Sequence, residues 1–190
     1  MMSTRERDRH RRATPRRGVV IAATSAVLLA AIAIDAVTKA IAVRELADGR
    51  TIGLVPTISL HLVFNPGVAF GAGASAGPPL RGLLLALLAA LLGWVVRRVV
   101  VGAPLIGTLA LAVAAGGGAG NVLDRIGTGA GFLSDPVTDF IAVDWFAVFN
   151  IADVFTTCGI ALWVVTDIFQ ASHTHTKQRE PRLDDRAADD

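Results

Sequence analysis

Four long apolar segments dominate the pattern of hydrophobic and polar positions along this chain of 190 residues. They extend from about residue 18 to 43, from 80 to 96, from 104 to 121 and from 146 to 169. Each segment approaches the ~20 apolar residues that an α-helix needs to cross a bilayer. The pattern therefore predicts an all-α membrane protein, in which a bundle of four transmembrane helices occupies residues 18–170.

Two of the stretches that connect these spans are long, at residues 44–79 and about 124–145. In the first, Thr57–Leu62 alternates polar and apolar residues with the period of a strand. Asn65–Gly67 follows as a turn, and Val68–Phe70 is a second short apolar run. We therefore expect a small antiparallel sheet on the membrane surface at about residues 44–79, and a second outer segment at 124–145.

Positive charge is concentrated at the start of the chain. The formal net charge is only +2, yet seven arginines lie within the first 17 residues. A basic arm can bind nucleic acid, but beside an apolar helix it is more typical of the cytoplasmic side of a membrane protein. Four spans then place both termini in the cytoplasm and the two long connections outside. We expect residues 1–17 and 171–190 to be a disordered arm and a disordered tail, with no nucleic-acid partner.

One aspartate lies well inside the first predicted span. A carboxylate in the membrane is costly, and it therefore usually has a function or a partner. Asp35 has a partner within reach, because Lys39 follows four residues later on the same face of a helix. We interpret this pair as structural.

Three further aspartates, Asp124, Asp139 and Asp153, come from different elements and converge on the outer side. Two carboxylates held close together cannot both ionise easily, so one keeps a proton while the other can activate water. This is the chemistry of an aspartic protease. The residues fit an alternative equally well, in which the acids cap helix ends and pair with Arg125 or Arg81. A small transporter or proton relay would also use aspartates inside a membrane.

Other common catalytic and metal-binding patterns are missing from the sequence. No serine occupies a Gly-x-Ser-x-Gly elbow, and no histidine lies near the aspartates to complete a Ser-His-Asp triad. The single cysteine, Cys158, excludes an intrachain disulfide and a multi-cysteine metal site. No cluster of histidine and cysteine offers a zinc site. We therefore expect neither a metal nor an organic cofactor.

Five short motifs occur in order between residues 35 and 153. They are Asp35–Lys39 (DAVTK), Asn65–Gly71 (NPGVAFG), Gly117–Arg125 (GGAGNVLDR), Val137–Phe140 (VTDF) and Phe149–Asp153 (FNIAD). With these motifs on four predicted spans, the chain resembles the bacterial lipoprotein signal peptidases (signal peptidase type II), a family of membrane aspartic proteases. The resemblance implies four helices, an extracytoplasmic antiparallel β-cradle at about 44–79 and an outer arm at about 124–145.

The same resemblance implies an activity and a localisation. Such enzymes lie in the bacterial cytoplasmic membrane with the active site at the outer face, and they act without a cofactor. They remove the signal peptide from diacylglyceryl-modified prolipoproteins by cleaving just before the lipidated cysteine, and the antibiotic globomycin blocks them. We accordingly expect a multi-pass, monomeric enzyme whose partners are prolipoprotein substrates and membrane lipid.

Residue roles carry over by position within the motifs. The resemblance implies that Asp139 and Asp153 are the catalytic pair. It implies that Asp35, Lys39 and Asp124 support the fold around them. It also implies that five residues bind the substrate backbone or lipid carbonyls: Asn65, Gly67, Asn121, Arg125 and Asn150.

Overall fold

The computed structural model describes residues 17–67, 77–126 and 133–178. Within these ranges, four helices are each long and apolar enough to cross a membrane. They are α1 (Arg17–Leu46), α2 (Gly77–Val101), α3 (Leu105–Ile126) and α4 (Ile151–Gln178). The predicted four-helix architecture is therefore confirmed. The basic arm up to residue 16, the apolar run Val68–Phe70 and the end of the tail from residue 179 lie outside the described residues.

Several helix boundaries differ from those that the apolar pattern predicts. α3 continues to Ile126, so Asp124 and Arg125 lie in its last turn instead of following it. α4 begins at Ile151 and not near residue 146, because the side chain of Asn150 caps it. At its other end α4 extends to Gln178, beyond the boundary expected at residue 170.

A four-stranded antiparallel sheet lies at one end of the bundle, which we call the sheet end. In spatial order its strands are β1 (Ile52–Val55), β2 (Ile58–Asn65), β3 (Val137–Val143) and β4 (Val148–Phe149). The prediction of a small antiparallel sheet is confirmed. Residues 137–143, which were expected to belong to an outer arm, form a strand of this same sheet, because β2 has an edge that β1 leaves unpaired.

The register of β2 on β3 brings two polar residues together. Asn65 lies opposite Val137, and Val63 lies opposite Asp139. Diagonal neighbours in an antiparallel pair point to the same face of a sheet. Asn65 and Asp139 therefore share one face.

An apolar cluster joins the sheet to the bundle. Phe140 of β3 packs with Ala42 and Leu46 at the end of α1. Phe140 is only 7% exposed, and burying a side chain of this size contributes about 1.5–3 kcal/mol. Successive strand residues point to opposite faces, so anchoring Phe140 against α1 turns the neighbouring Asp139 to the other face of the sheet.

Small residues allow α3 to lie at the centre of the bundle. A Cβ atom at Gly116 would lie 2.7 Å from the Cβ of Ala31 on α1, and one at Gly120 would overlap the Asp35 side chain. On its other side α3 packs closely on α4. The glycine-rich run 116–120 therefore allows close helix packing. α1 and α2, by contrast, contact each other sparsely.

Candidate active site

Asp139, on β3, has an almost completely buried side chain, at 3% exposure. Its two oxygens accept hydrogen bonds from two amides, Asn65 Nδ2 at 3.0 Å and Asn150 Nδ2 at 2.7 Å. Burial raises the pKa of Asp139 above its ordinary value, and the charge of Asp153 adds to this rise, although the two amide hydrogen bonds oppose it. The net direction is upward, so this carboxyl tends to keep a proton.

Asp153 lies in the first turn of α4, where the capping box of that helix holds it. Asn150 Oδ1 accepts a hydrogen bond from the Asp153 N–H at 3.1 Å, and Asp153 Oδ2 accepts one from the Asn150 N–H at 3.2 Å. The positive end of the helix macrodipole also favours a carboxylate at this place. The other oxygen, Oδ1, accepts a hydrogen bond from Asn121 Nδ2 at 2.8 Å. The local capping box therefore holds Oδ2 of Asp153, and α3 holds Oδ1.

Two asparagine side chains connect the two acids. Asn150 is fully buried, and its Nδ2 donates both to Asp139 and, at 3.0 Å, to the Oδ1 of Asn121. Asn121, on α3, donates in turn to Asp153. Asp139 and Asp153 therefore belong to one hydrogen-bonded network, although one lies on a strand and the other on a helix.

Lys39 of α1 sets the orientation of the Asn121 amide. Its Nζ lies 2.7 Å from Asp35 Oδ2, 2.9 Å from Asp124 Oδ2 and 2.9 Å from Asn121 Oδ1. An ammonium group has three N–H donors, and these three acceptors can satisfy all of them at 5% side-chain exposure. Because Oδ1 of Asn121 is engaged by Lys39, its Nδ2 is left to face Asp153. The predicted Asp35–Lys39 pair is confirmed, whereas the contact with Asn121 was not predicted.

Asp35 and Asp124 tie neighbouring elements together. Asp35 Oδ1 accepts a hydrogen bond from the Ala152 N–H at 3.0 Å, which satisfies a free N–H in the first turn of α4. Asp124 Oδ2 accepts one from the Thr138 N–H at 3.1 Å and so joins the end of α3 to β3. Asp35 and Asp124 therefore fix α4 and β3, the elements that carry Asp153 and Asp139.

Arg125, in the last turn of α3, connects the turn after β2 to the bundle. Its guanidinium donates a hydrogen bond to the Gly67 carbonyl. The Gly67 N–H donates to Asn65 Oδ1 at 3.0 Å, which leaves Asn65 Nδ2 to face Asp139. Arg125 thus holds the amide that binds one of the acids, and it is itself buried.

The two acids border a cavity of about 390 Å³, which is lined by α2, α3, α4 and the sheet. Six of the predicted site residues line it, and they are Asn65, Gly67, Asn121, Arg125, Asp139 and Asp153. The remainder of the wall is mainly apolar and includes Leu84, Leu87, Leu88, Leu91 and Ile160. Asn150, Asp35, Lys39 and Asp124 do not line the cavity and act on it through their neighbours.

This arrangement suits general acid–base catalysis. Asp139 has a raised pKa, and it shares a network of asparagine amides with a second carboxyl, Asp153, so the pair can divide one proton between them. Cys158, exposed on α4, and His61, on β2, are not part of the cavity wall. Within the described ranges, no group of three or more histidine, cysteine or acidic side chains could hold a metal ion.

Comparison with known proteins places the chain in a family. The profile described as Signal peptidase (SPase) II matches residues 27–169. The chain belongs to the signal peptidase II family. The lipoprotein signal peptidase of Bifidobacterium adolescentis is 38% identical over 136 residues, which cover 71% of this chain and 70% of that protein. The lipoprotein signal peptidase of Mycobacterium leprae is 30% identical over 171 residues, which cover 90% of this chain and 82% of that protein.

A solved structure shares the fold of this signal peptidase II family member. It is a bacterial membrane enzyme determined by the in meso method at 2.3 Å resolution, and it aligns with a TM-score of 0.64. The alignment covers 80% of this chain and 92% of that chain at 23% sequence identity. The resemblance inferred from the five motifs is therefore confirmed, since all of them lie within the matched residues 27–169.

Proposed function

We propose that this signal peptidase II family member is a membrane aspartic endopeptidase. It removes the signal peptide from diacylglyceryl-modified prolipoproteins by cleaving just before the lipidated cysteine, and Asp139 and Asp153 are its catalytic pair. One observation carries the proposal: two carboxyls in unequal environments share a network of asparagine amides at the polar end of an otherwise apolar cavity. Membership of the family and the names of its relatives support it.

In the proposed reaction Asp139 begins protonated and Asp153 ionised. Asp153 takes a proton from a water molecule as the water oxygen attacks the carbonyl carbon of the scissile peptide, and Asp139 gives its proton to the carbonyl oxygen. When the tetrahedral intermediate collapses, the C–N bond breaks. The leaving nitrogen then takes the proton from Asp153, and a hydroxyl of the intermediate returns one to Asp139. The pair ends in its starting state.

The remaining cavity residues suit the two parts of such a substrate. Amide and guanidinium donors of Asn121 and Arg125 lie at the polar end, where they can bind peptide or ester carbonyl oxygens. The apolar wall that α2 provides, including Leu84 and Leu88, is suited to acyl chains that stay in the bilayer. A lipid-modified cysteine would therefore place its chains along α2 and its backbone beside the acids.

The charges at the two ends of the bundle support an orientation with both termini in the cytoplasm. Arg17 and Arg97 lie at the end away from the sheet, and six more arginines precede α1 in the sequence. At the sheet end, Arg50 has acidic neighbours, since it lies 3.5 Å from both Glu45 and Asp48. A concentration of basic residues marks the cytoplasmic side, so the active site would face outward. All residues of the proposed site come from one chain, as a monomeric enzyme requires.

A proton relay or transporter is not favoured by the arrangement at the opposite end. Arg98 is bound to Asp167 through two nitrogens, at 2.6 and 3.2 Å, and also contacts Thr108. Trp163 Nε1 donates to the same carboxylate at 2.8 Å. A closed ion pair of this kind satisfies its own members and does not continue the polar network of the active site. Proton or ion flux through the purified protein in liposomes would instead support a proton relay or transporter.

The decisive experiment is cleavage of a purified diacylglyceryl-modified prolipoprotein by the full chain in detergent or nanodiscs. The wild type should release a product that begins with the lipidated cysteine, as read by mass spectrometry, and globomycin should block it. Asp139→Asn and Asp153→Asn should each abolish cleavage while the protein remains folded. Asp48→Asn, at an exposed acid of the sheet end, is the matched control and should keep full activity. Substantial cleavage by either of the first two variants contradicts the assignment.

A further inference from the structure

A second cavity, of about 300 Å³, lies between α1 and α2 at the end of the bundle away from the sheet, which we call the terminal end. Its wall is largely apolar, with Leu28 of α1 facing Leu92 and Val95 of α2. The space remains open because the two helices contact each other sparsely. None of its lining residues belongs to the proposed active site.

Thr24, in the wall of this groove, has an unusual side chain. The residue is only 6% exposed, yet its hydroxyl has no hydrogen-bond partner among the described residues. A helical threonine commonly bonds a carbonyl one turn earlier, as Thr38 does with the Ile34 oxygen at 2.9 Å. A buried hydroxyl without a partner costs free energy. A bound molecule with an acceptor atom at this depth would remove that cost.

The mouth of the groove is positively charged. Arg17, the first residue of α1, lines it at the terminal end. The helical rise places Thr24 about 10 Å further along α1 than Arg17. From the mouth inward, an occupant therefore meets a cation, then a hydroxyl donor, then an apolar wall.

We propose that this groove binds one anionic glycerophospholipid from the leaflet at the terminal end. Such a lipid presents a phosphate, ester carbonyls and acyl chains in the same order. The phosphate would lie against Arg17, and an ester carbonyl would accept a hydrogen bond from the Thr24 hydroxyl. One acyl chain would follow the apolar wall formed by Leu28 and Val95. The proposal is independent of the peptidase activity, since it uses no residue of that site.

The charge contribution is tested by native mass spectrometry of the full chain in detergent, titrated with phosphatidylglycerol or phosphatidylcholine of identical acyl chains. Wild type should hold one phosphatidylglycerol more tightly than phosphatidylcholine. Arg17→Ala should weaken the anionic lipid about fivefold, the effect of one basic residue near a charged lipid surface, and should weaken the zwitterionic lipid less, because its choline cation offsets the charge of its phosphate. Arg44→Ala removes an exposed arginine from the other end of α1 and should change neither. Equal affinity of wild type for the two lipids overturns the proposal.

The hydroxyl contribution gives a separate signature. Thr24→Val should weaken both ester lipids roughly threefold, as expected for one hydrogen bond inside a membrane protein, without changing the preference between them. Thr24→Ser should restore binding, whereas Thr38→Val is the matched control. Ether-linked phosphatidylglycerol lacks the carbonyl, so it should bind wild type and Thr24→Val equally. The assigned contact is overturned if Thr24→Val weakens ether and ester lipids equally, or if it weakens neither. Unchanged thermal unfolding of the lipid-free variants shows that they are not misfolded.

Discussion

Replacing Lys39 by methionine tests whether one buried ammonium organises the active site. The substitution keeps a long unbranched side chain and removes its charge and its three donors. In the wild type these donors lie 2.7 to 2.9 Å from Asp35, Asp124 and Asn121. The Lys39 side chain is only 5% exposed, so water has little access to replace the lost bonds.

The cost follows from the burial of the partners. Removing one member of a buried ion pair costs about 3–5 kcal/mol, because it leaves an uncompensated charge. Asp35 is 1% exposed and bears most of this cost, while Asp124, at 22% side-chain exposure, is partly solvated. We therefore expect Lys39→Met to lower the free energy of unfolding by about 3–5 kcal/mol. Titration with sodium dodecyl sulfate in mixed micelles, followed by tryptophan fluorescence, measures the loss.

Two further variants separate charge compensation from orientation of the amide. Adding Asp35→Asn to Lys39→Met should recover part of the stability, because the buried carboxylate is gone. The kcat for prolipoprotein cleavage should stay low in the double variant, since the Asn121 amide is no longer fixed. Arg50→Met is the control. It breaks an ion pair whose two side chains are about half exposed, so it should lower the free energy of unfolding by no more than about 1 kcal/mol. A loss in Lys39→Met as small as this control, or an unchanged kcat, would refute the reasoning.

Three other predictions concern packing, capping and titration. Gly120→Ala places a methyl group against the Asp35 side chain and should destabilise by about 1–3 kcal/mol; Gly93→Ala, which meets nothing within 4 Å, should not lower the unfolding temperature. Asn150→Ala removes the cap of α4, at a cost of about 1–2 kcal/mol, together with the donor to Asp139, so both unfolding temperature and kcat should fall. Burial raises the pKa of Asp139, so its stabilising contribution is present at low pH and is lost as the pH rises from about 4 through the folded pKa. Asp139→Asn does not lose this stability as the pH rises. The unfolding temperature of Asp139→Asn minus that of the wild type should therefore rise with pH across that window, and a difference that does not change with pH would contradict the predicted direction.

The helices could be predicted from sequence because an apolar run of about 20 residues has few alternatives to crossing a bilayer. The start of α4 was predicted about five residues too early, because the apolar residues from 146 onward extend the apolar segment; the capping-box spacing of Asn150 and Asp153 marks the observed start. The pairing of β3 with β2 was not readable. It joins Asn65 to a partner more than seventy positions away, and β3 carries apolar residues on both faces with one polar residue on each, so neither spacing nor alternation indicates the register.

The same limit applies to the contact that orients the site. Lys39 was predicted to pair with Asp35, because the two lie one helical turn apart. Its bond to Asn121 spans 82 positions and depends on how closely α1 approaches α3. That approach depends on the absence of a side chain at Gly120. The residue types were therefore visible in the sequence, while their connection required the packing.

The placement of charge around the two acids explains why asparagines and not cations contact them. A lysine or arginine bonded directly to Asp139 would favour its ionised form and lower its pKa. In this protein the donors to Asp139 are the neutral amides of Asn65 and Asn150, which orient the carboxyl with less bias toward ionisation. The cation Lys39 is separated from the two acids by Asn121. Asp35 and Asp124 neutralise its charge, and its remaining N–H donor binds Asn121 and so orients that amide. A carboxyl can in this way be held rigidly and still retain the proton that the proposed reaction requires.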